Sequence, residues 1–154
     1  MKESHEQALQ FLEDIFRSAG FDLHAEANEG EGVCTLNISG NDSLLLRSEG
    51  GELLDAIEHF VNQAFSRGPS EGERLVCDVE GFRAMRETEL RAMARHAADR
   101  VRSTGLPFFF GPMSASERRV IHLALADENN LFTESVGEGN ARRLKVSPKN
   151  SAKN

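Results

Sequence analysis

Arg118 and His122 stand four residues apart in Ser116-Glu-Arg-Arg-Val-Ile-His-Leu-Ala-Leu125, directly behind Ser114-Ala-Ser-Glu117. A guanidinium brings a rigid fork of donors with a permanent charge, and an imidazole adds a donor whose charge depends on its surroundings. On a helix, residues four apart lie about 40° from each other, so the two share one face. The S-x-x-E spacing is that of a capping box, which starts the helix at about Ala115. Cations near a helix start, where unpaired N–H groups and the dipole already favour negative charge, suit a phosphate.

Other uses of the same residues compete with that one. A zinc protease helix carries H-E-x-x-H, and this stretch holds a single histidine. Nucleophilic catalysis needs a serine or cysteine aimed at His122 from a sharp elbow, and none is read here. The pair also fits a solvated helix edge, with Val120, Ile121 and Ala124 on the buried side. Spacing alone leaves the phosphate seat and the solvated edge both open.

A second set of cations follows in Arg142-Arg-Leu-Lys-Val146. On a strand, Leu144 and Val146 face one way and Arg143 and Lys145 the other, while Arg142 lies near a turn. If this stripe shares a surface with Arg118 and His122, several cations converge as in nucleic-acid binding. Pairing with acidic residues elsewhere in the chain is the competing reading.

The elements that must position these residues can be read from periodicity. In the first half, Ala8, Phe11, Leu12, Ile15, Phe16 and Ala19 have helical spacing, and Gly20 ends that helix. Residues 21–27 and 33–38 alternate and flank the Glu/Gly-rich 28–32, as in a hairpin. A short helical piece at 42–46 breaks at Gly50-Gly51. A longer helix then buries Leu53, Leu54, Ile57, Phe60, Val61, Ala64 and Phe65 and stops at Gly68-Pro69. Arg74–Val79 is a strand, giving αββααβ.

The second half opens with a helix over 81–103 whose expected buried stripe is Phe82, Met85, Leu90, Met93, Ala97 and Val101. An extended Leu106–Phe110, the capped helix and a hairpin formed by 131–136 and 142–146 complete it. Pro148 onward reads as a flexible tail. Among the aromatic residues, Phe108, Phe109 and Phe110 could stack on bases, although burial competes.

The net charge of −7 hides an asymmetry: residues 1–80 hold 5 Lys/Arg against 17 Asp/Glu, and 81–154 hold 13 against 8. The halves are therefore −12 and +5, which reads as an acidic module followed by a basic one able to attract a polyanion. Cys34 and Cys77 each alternate with apolar residues and form no C-x-x-C pair, so they read as reduced, buried thiols. No apolar run is long enough for a membrane span and no secretory leader is read, so the cytoplasm is the expected compartment.

The segment from Asp78 to Pro148 resembles the R-3-H domain, a single-stranded nucleic-acid-binding module named for an arginine and a histidine with three residues between them. Asp78-Val-Glu-Gly-Phe-Arg83, Gly111-Pro-Met113, Glu117-Arg-Arg-Val-Ile-His122, Ser135-Val-Gly-Glu138 and Arg142-Arg143 carry the likeness. The first half, with Gly51-Glu-Leu-Leu-Asp-Ala-Ile57, is similar to a type II KH domain. The tandem resembles the Jag (SpoIIIJ-associated) family, without that family's separate N-terminal domain and linker. The G-x-x-G loop by which KH domains clamp nucleotides here reads Ser48-Glu-Gly-Gly51, with Glu49 where a phosphate would approach.

The expectation is an α+β chain: a KH-like domain over 1–80 with a degenerate loop at Ser48, Glu49, Gly50 and Gly51, a small R-3-H domain over 81–147, and a flexible tail over 148–154. The resemblance implies a non-catalytic binder of single-stranded RNA, or of single-stranded DNA, needing no metal or cofactor. Arg118, Arg119, Arg142, Arg143 and Lys145 would meet phosphates, with His122 as a donor or as a support for Arg118. An adaptor role is the alternative, the acidic half docking a second KH protein or a membrane-insertion factor.

Overall fold

The computed structural model describes residues 2–66 and 74–149. The fold is α+β and divides into two compact units, Met1–Arg83 and Ala84–Asn154.

The first unit contains α1 (Glu3–Ala19), β1 (His24–Glu29), β2 (Val33–Ser39), α2 (Leu44–Arg47), a 3₁₀ turn (Ser48–Gly51), α3 (Glu52–Phe65) and β3 (Arg74–Val79). This is the αββααβ order that the periodicities predict. Gly20 ends α1 in the left-handed conformation at φ 73°, which a residue without Cβ adopts without strain. The sheet order is β1-β2-β3, with β1 and β2 antiparallel and β2 and β3 parallel. The β2–β3 crossover contains α2 and α3, as a parallel pair requires.

Alternation puts Ala25, Cys34, Leu36, Ile38, Leu75, Cys77 and Val79 into one core with Ala8, Leu12 and Phe16 of α1 and Leu54 and Val61 of α3. Both cysteines are buried thiols, as expected. Burial pushes the Cys77 thiol up to about 12, and the nearby Glu58 carboxylate acts in the same direction.

The outer edge of β3 is closed by side chains. Asn62 accepts from Leu75 N at 3.1 Å and donates to Leu75 O at 2.6 Å. Glu58 accepts from Cys77 N at 3.1 Å, Arg83 Nε donates to Cys77 O at 2.7 Å, and Asp78 accepts from Val79 N at 2.8 Å. Arg83 also pairs with Asp55 at 2.7 Å and Glu58 at 3.0 Å. Backbone groups that lack a neighbouring strand thus obtain partners from α3 and from the residues after the strand.

The second unit takes its first helix from α4 (Phe82–Thr104), then has β4 (Phe108–Phe109), α5 (Ala115–Ala124), β5 (Leu131–Val136), a 3₁₀ turn (Gly139–Ala141) and β6 (Arg143–Pro148). The sheet is antiparallel in the order β4-β6-β5. Its core joins Leu90, Ala94, Ala97, Ala98 and Val101 of α4 to Ile121, Leu125, Phe110, Leu131, Leu144 and Val146.

Several stripe residues are not where periodicity puts them. Leu53, Phe60 and Ala64 of α3 and Met85 and Met93 of α4 are exposed. Phe60 instead stacks on Phe11, with ring centroids 5.4 Å apart. On α4 the buried line runs through Ala94 and Ala98 rather than Met93, because Phe82 serves the first core and the second core begins only at Leu90. The last strand extends further than expected: Pro148 pairs with Leu131, and Lys149 N donates to Asn130 O at 3.1 Å. The expected stop at Gly68-Pro69 and the tail from residue 150 lie outside the described residues.

Candidate nucleic-acid interface

Ser114 caps α5 by accepting from Glu117 N at 3.3 Å, as the sequence predicts. The other half of the capping box is replaced. Glu117, only 7% exposed, gives its carboxylate to Arg86 Nε of α4 at 2.7 Å, and this contact is the main reason the Arg86 guanidinium holds its proton more tightly than usual. The pair ties the start of α5 to α4 and leaves the helix start with Arg118 and Arg119.

Arg118, Arg119 and His122 line one shallow cleft of about 410 Å³ with Ala115, Thr133, Ser135, Glu134 and Leu144. Arg118 is half-buried and its Nη1 donates to Ser135 Oγ at 2.6 Å. Its Nε is buried and has no acceptor among the described residues. Arg119 is exposed. His122 is exposed and its Nδ1 bonds the Thr133 hydroxyl. Two hydroxyls on β5 thus orient the named arginine and histidine, a role that sequence reasoning did not assign. The signal was present: alternation along Leu131–Val136 puts Thr133 and Ser135 on the face of Leu131.

The strand cations do not join this cleft. In the hairpin, Ser135 lies opposite Leu144 and Thr133 opposite Val146, whereas Glu134 lies opposite Lys145 and Val136 opposite Arg143. Directly paired residues share a face, so the cleft is at the edge of the helix-packed face and Arg143 and Lys145 are on the other. The expected single surface is therefore two surfaces, separated by the thickness of the sheet. Period-two alternation separates the stripes as soon as the register is known.

On the second face, Arg143 lies 5.1 Å and Lys145 5.6 Å from the centre of the Phe109 ring. Lys145 also meets Glu134 at 3.7 Å. Arg142 is exposed at the hairpin end and its Nη1 donates to Gly137 O at 3.2 Å. Phe108 and Phe110 pack edge to face in the core, 5.1 Å apart, while Phe109 is 48% exposed. The three phenylalanines therefore divide, with the middle one outside.

In the first unit, Ser48–Gly51 forms the turn before α3. Glu49, Gly50 and Gly51 are all left-handed, at φ 53°, 66° and 84°. A Cβ at residue 51 would come within 2.7 Å of Phe82 Cε1, so glycine is required there by contact as well as by φ. Glu49 is exposed, and the preceding Arg47 is engaged with Ser43 at 2.9 Å and Glu80 at 3.4 Å. The local charge at this turn is acidic.

Among the described residues there is no cluster of three or more His, Cys, Asp or Glu able to hold a metal, and no helix is long and apolar enough to cross a membrane. Gly68-Pro-Ser-Glu-Gly72 does spell G-x-S-x-G, contrary to the expectation that the chain holds no such elbow. It follows a helix and precedes a strand, the reverse of the strand-to-helix elbow that activates a serine, and it lies outside the described residues.

The R-3-H domain family model matches residues 88–148. The chain is 30% identical over 146 residues to the RNA-binding protein KhpB of Bacillus subtilis (strain 168), an alignment covering 94% of this chain and 70% of that protein. The chain belongs to the KhpB family, the Jag proteins. A second KhpB, from Clostridium symbiosum, is 31% identical over 146 residues, covering 94% of this chain and 66% of that protein. The KhpB of Lactiplantibacillus plantarum is 26% identical over 136 residues, with 88% of this chain and 42% of that protein covered. The chain thus spans about two thirds of the first two relatives and less than half of the third. In this KhpB-family chain, the domain match takes in Arg118, Arg119, His122, Arg142, Arg143 and Lys145, on both faces of the second sheet.

Proposed function

We propose that this protein is a non-catalytic binder of single-stranded nucleic acid, RNA first, and that its second unit makes the phosphate contacts. The observation that carries the reading is the cleft where Arg118, Arg119 and His122 gather beside the start of α5 and the hydroxyls of β5. Three polar groups in one concavity, one of them an arginine with a buried donor still unmatched, fit an anionic oxygen. The shallowness of the cleft suits a strand backbone rather than an enclosed small molecule. RNA is preferred over DNA because the relatives are named RNA-binding proteins. A reducing, cytoplasmic setting accords with two buried thiols.

Arg142, Arg143 and Lys145 remain phosphate contacts in this reading, reached from the opposite face. The first unit, with Glu49 at its turn, acts as a scaffold and contributes little to RNA affinity.

The test is a filter-binding titration of a short single-stranded RNA, the matching DNA and a duplex at two salt concentrations. Single strands should bind more tightly than duplex. The Arg118→Ala, Arg119→Ala double variant should weaken binding to every sequence alike and lower the salt slope by roughly 0.7 for each phosphate no longer neutralised. Unchanged affinity and slope in that variant would remove the cleft from the interface.

A further inference from the structure

The second sheet presents a face that the phosphate cleft leaves unused. The helices of its unit supply the core on the Leu144 and Val146 side, and among the described residues none on the opposite face belongs to that core. On that opposite face Phe109 of β4 is 48% exposed and Phe132 of β5 is 45% exposed. They flank the central strand, Phe109 opposite Lys145 and Phe132 opposite Ser147. From strand spacing and rise, their Cα atoms are about 12 Å apart. Between the rings on β6 are Lys145 and the nearly buried Ser147, while Arg143 lies beside Phe109 on the side away from Phe132 and has no carboxylate partner among the described residues.

We infer that this face is a base-stacking platform for single-stranded RNA, with Phe109 and Phe132 as the stacking groups and Arg143 and Lys145 as the charges that hold the backbone over them. The inference rests on the reading of the protein as a single-strand binder and adds where the bases go.

Charge and shape both select that occupant. Two exposed rings on the strands either side of β6, with Lys145 between them and Arg143 beside Phe109, offer flat π faces to bases and positive charge to phosphates, the combination by which sheets hold single strands. A duplex hides its base faces and gains nothing from exposed rings. An acidic peptide would use the cations and leave the rings idle. Glu134 opposes the platform only weakly, because its contact with Lys145 is partly exposed at 3.7 Å and already offset by that charge. Where the guanidinium of Arg143 lies over Phe109, a base would stack on the planar guanidinium, and the exposed remainder of the ring stays available.

Edge strand β5 connects platform and cleft. Its Thr133 and Ser135 orient the cleft residues, Phe132 belongs to the platform face, and Glu134 lines the cleft and also meets Lys145 of the platform. A strand that reaches both crosses this edge.

The experiment compares a ten-nucleotide uridine RNA with an abasic ribose-phosphate strand of the same length, on the full chain. The wild type should prefer the uridine strand by on the order of tenfold or more. Phe109→Ala should lose on the order of tenfold in affinity for it, with an unchanged salt slope and reduced preference over the abasic strand. Phe109→Tyr should retain both properties, since its ring still stacks. The Arg118→Ala, Arg119→Ala variant should do the reverse, losing salt slope and keeping the preference for bases. The platform is overturned if the wild type binds both strands equally, or if a folded Phe109→Ala, Phe132→Ala variant binds uridine RNA as the wild type does. Should the wild type bind neither strand, the single-strand reading falls and takes the platform with it.

Discussion

The two units each present a helix start, and the two starts carry opposite charge. At α3 the turn is Ser48–Gly51, and Glu49, Glu52 and Asp55 surround the positive end of the helix dipole. At α5 the serine cap is followed by Arg118 and Arg119, while the one acid, Glu117, is bound to Arg86. The first start satisfies its dipole from its own sequence. The second removes its carboxylate from the surface and leaves the dipole, two guanidiniums and an imidazole for a ligand. The two starts differ in cap as well, a left-handed Gly51 against an extended Ser114, and each helix end is closed or open according to where its carboxylates are used.

The two helix starts differ most at Glu117. Glu117→Ala leaves the Arg86 guanidinium without its main partner, and urea unfolding should show a loss of about 3 kcal/mol. A loss under about 0.5 kcal/mol would show that the pair does not fix the start of α5. At the other helix start, Gly51→Ala should cost about 2 kcal/mol, from the left-handed φ and the approach of Cβ to Phe82. Glu49→Gly should do the opposite and stabilise by up to about 1 kcal/mol, because it relieves a non-glycine φ of 53°.

The pH dependence distinguishes the units, since both cysteines lie in the first. An unfolded cysteine ionises near about 8.5, whereas folded Cys77 holds its proton up to about 12. Between those values only the unfolded chain gives up the proton, so stability is full below about pH 8 and falls as pH rises, by on the order of 1 kcal/mol per unit. Urea midpoints at pH 8 and pH 10 should therefore drop further in the wild type than in Cys77→Ala. The smallest effect is expected from Glu49→Lys, which should raise RNA affinity no more than about threefold at low salt and not at all at high salt. A tenfold gain would mean that the first helix start is a latent binding site, and the contrast between the units would fail.

Much of this fold is legible in the sequence because its elements have clean periods. The αββααβ order, the Ser114 cap and the alternation of the last hairpin follow from spacing alone. What was hidden concerns which part of a periodic stripe is covered. Met85 and Met93 continue the stripe of α4, yet burial passes through Ala94 and Ala98, whose small side chains carry little hydropathic signal. The candidate site was legible as residues and not as a surface. Arg118 and His122 come together as their spacing implies and Arg119 joins them in the cleft, whereas placing Arg143 and Lys145 required the hairpin register. Arg86 was invisible as the partner of Glu117 because the two are 31 positions apart and local capping already explained the glutamate.

The side chains along β3 carry a consequence for how copies of this protein meet. An incoming β-strand could lengthen the first sheet beyond β3 only by breaking bonds from Asn62, Glu58, Asp78 and Arg83 to the backbone of Leu75, Cys77 and Val79. That side of the molecule is therefore closed to strand addition and to the templated stacking that leads to fibrils. Loss of Asn62 would reopen it, and aggregation of an Asn62→Ala variant on prolonged incubation is the sign to look for.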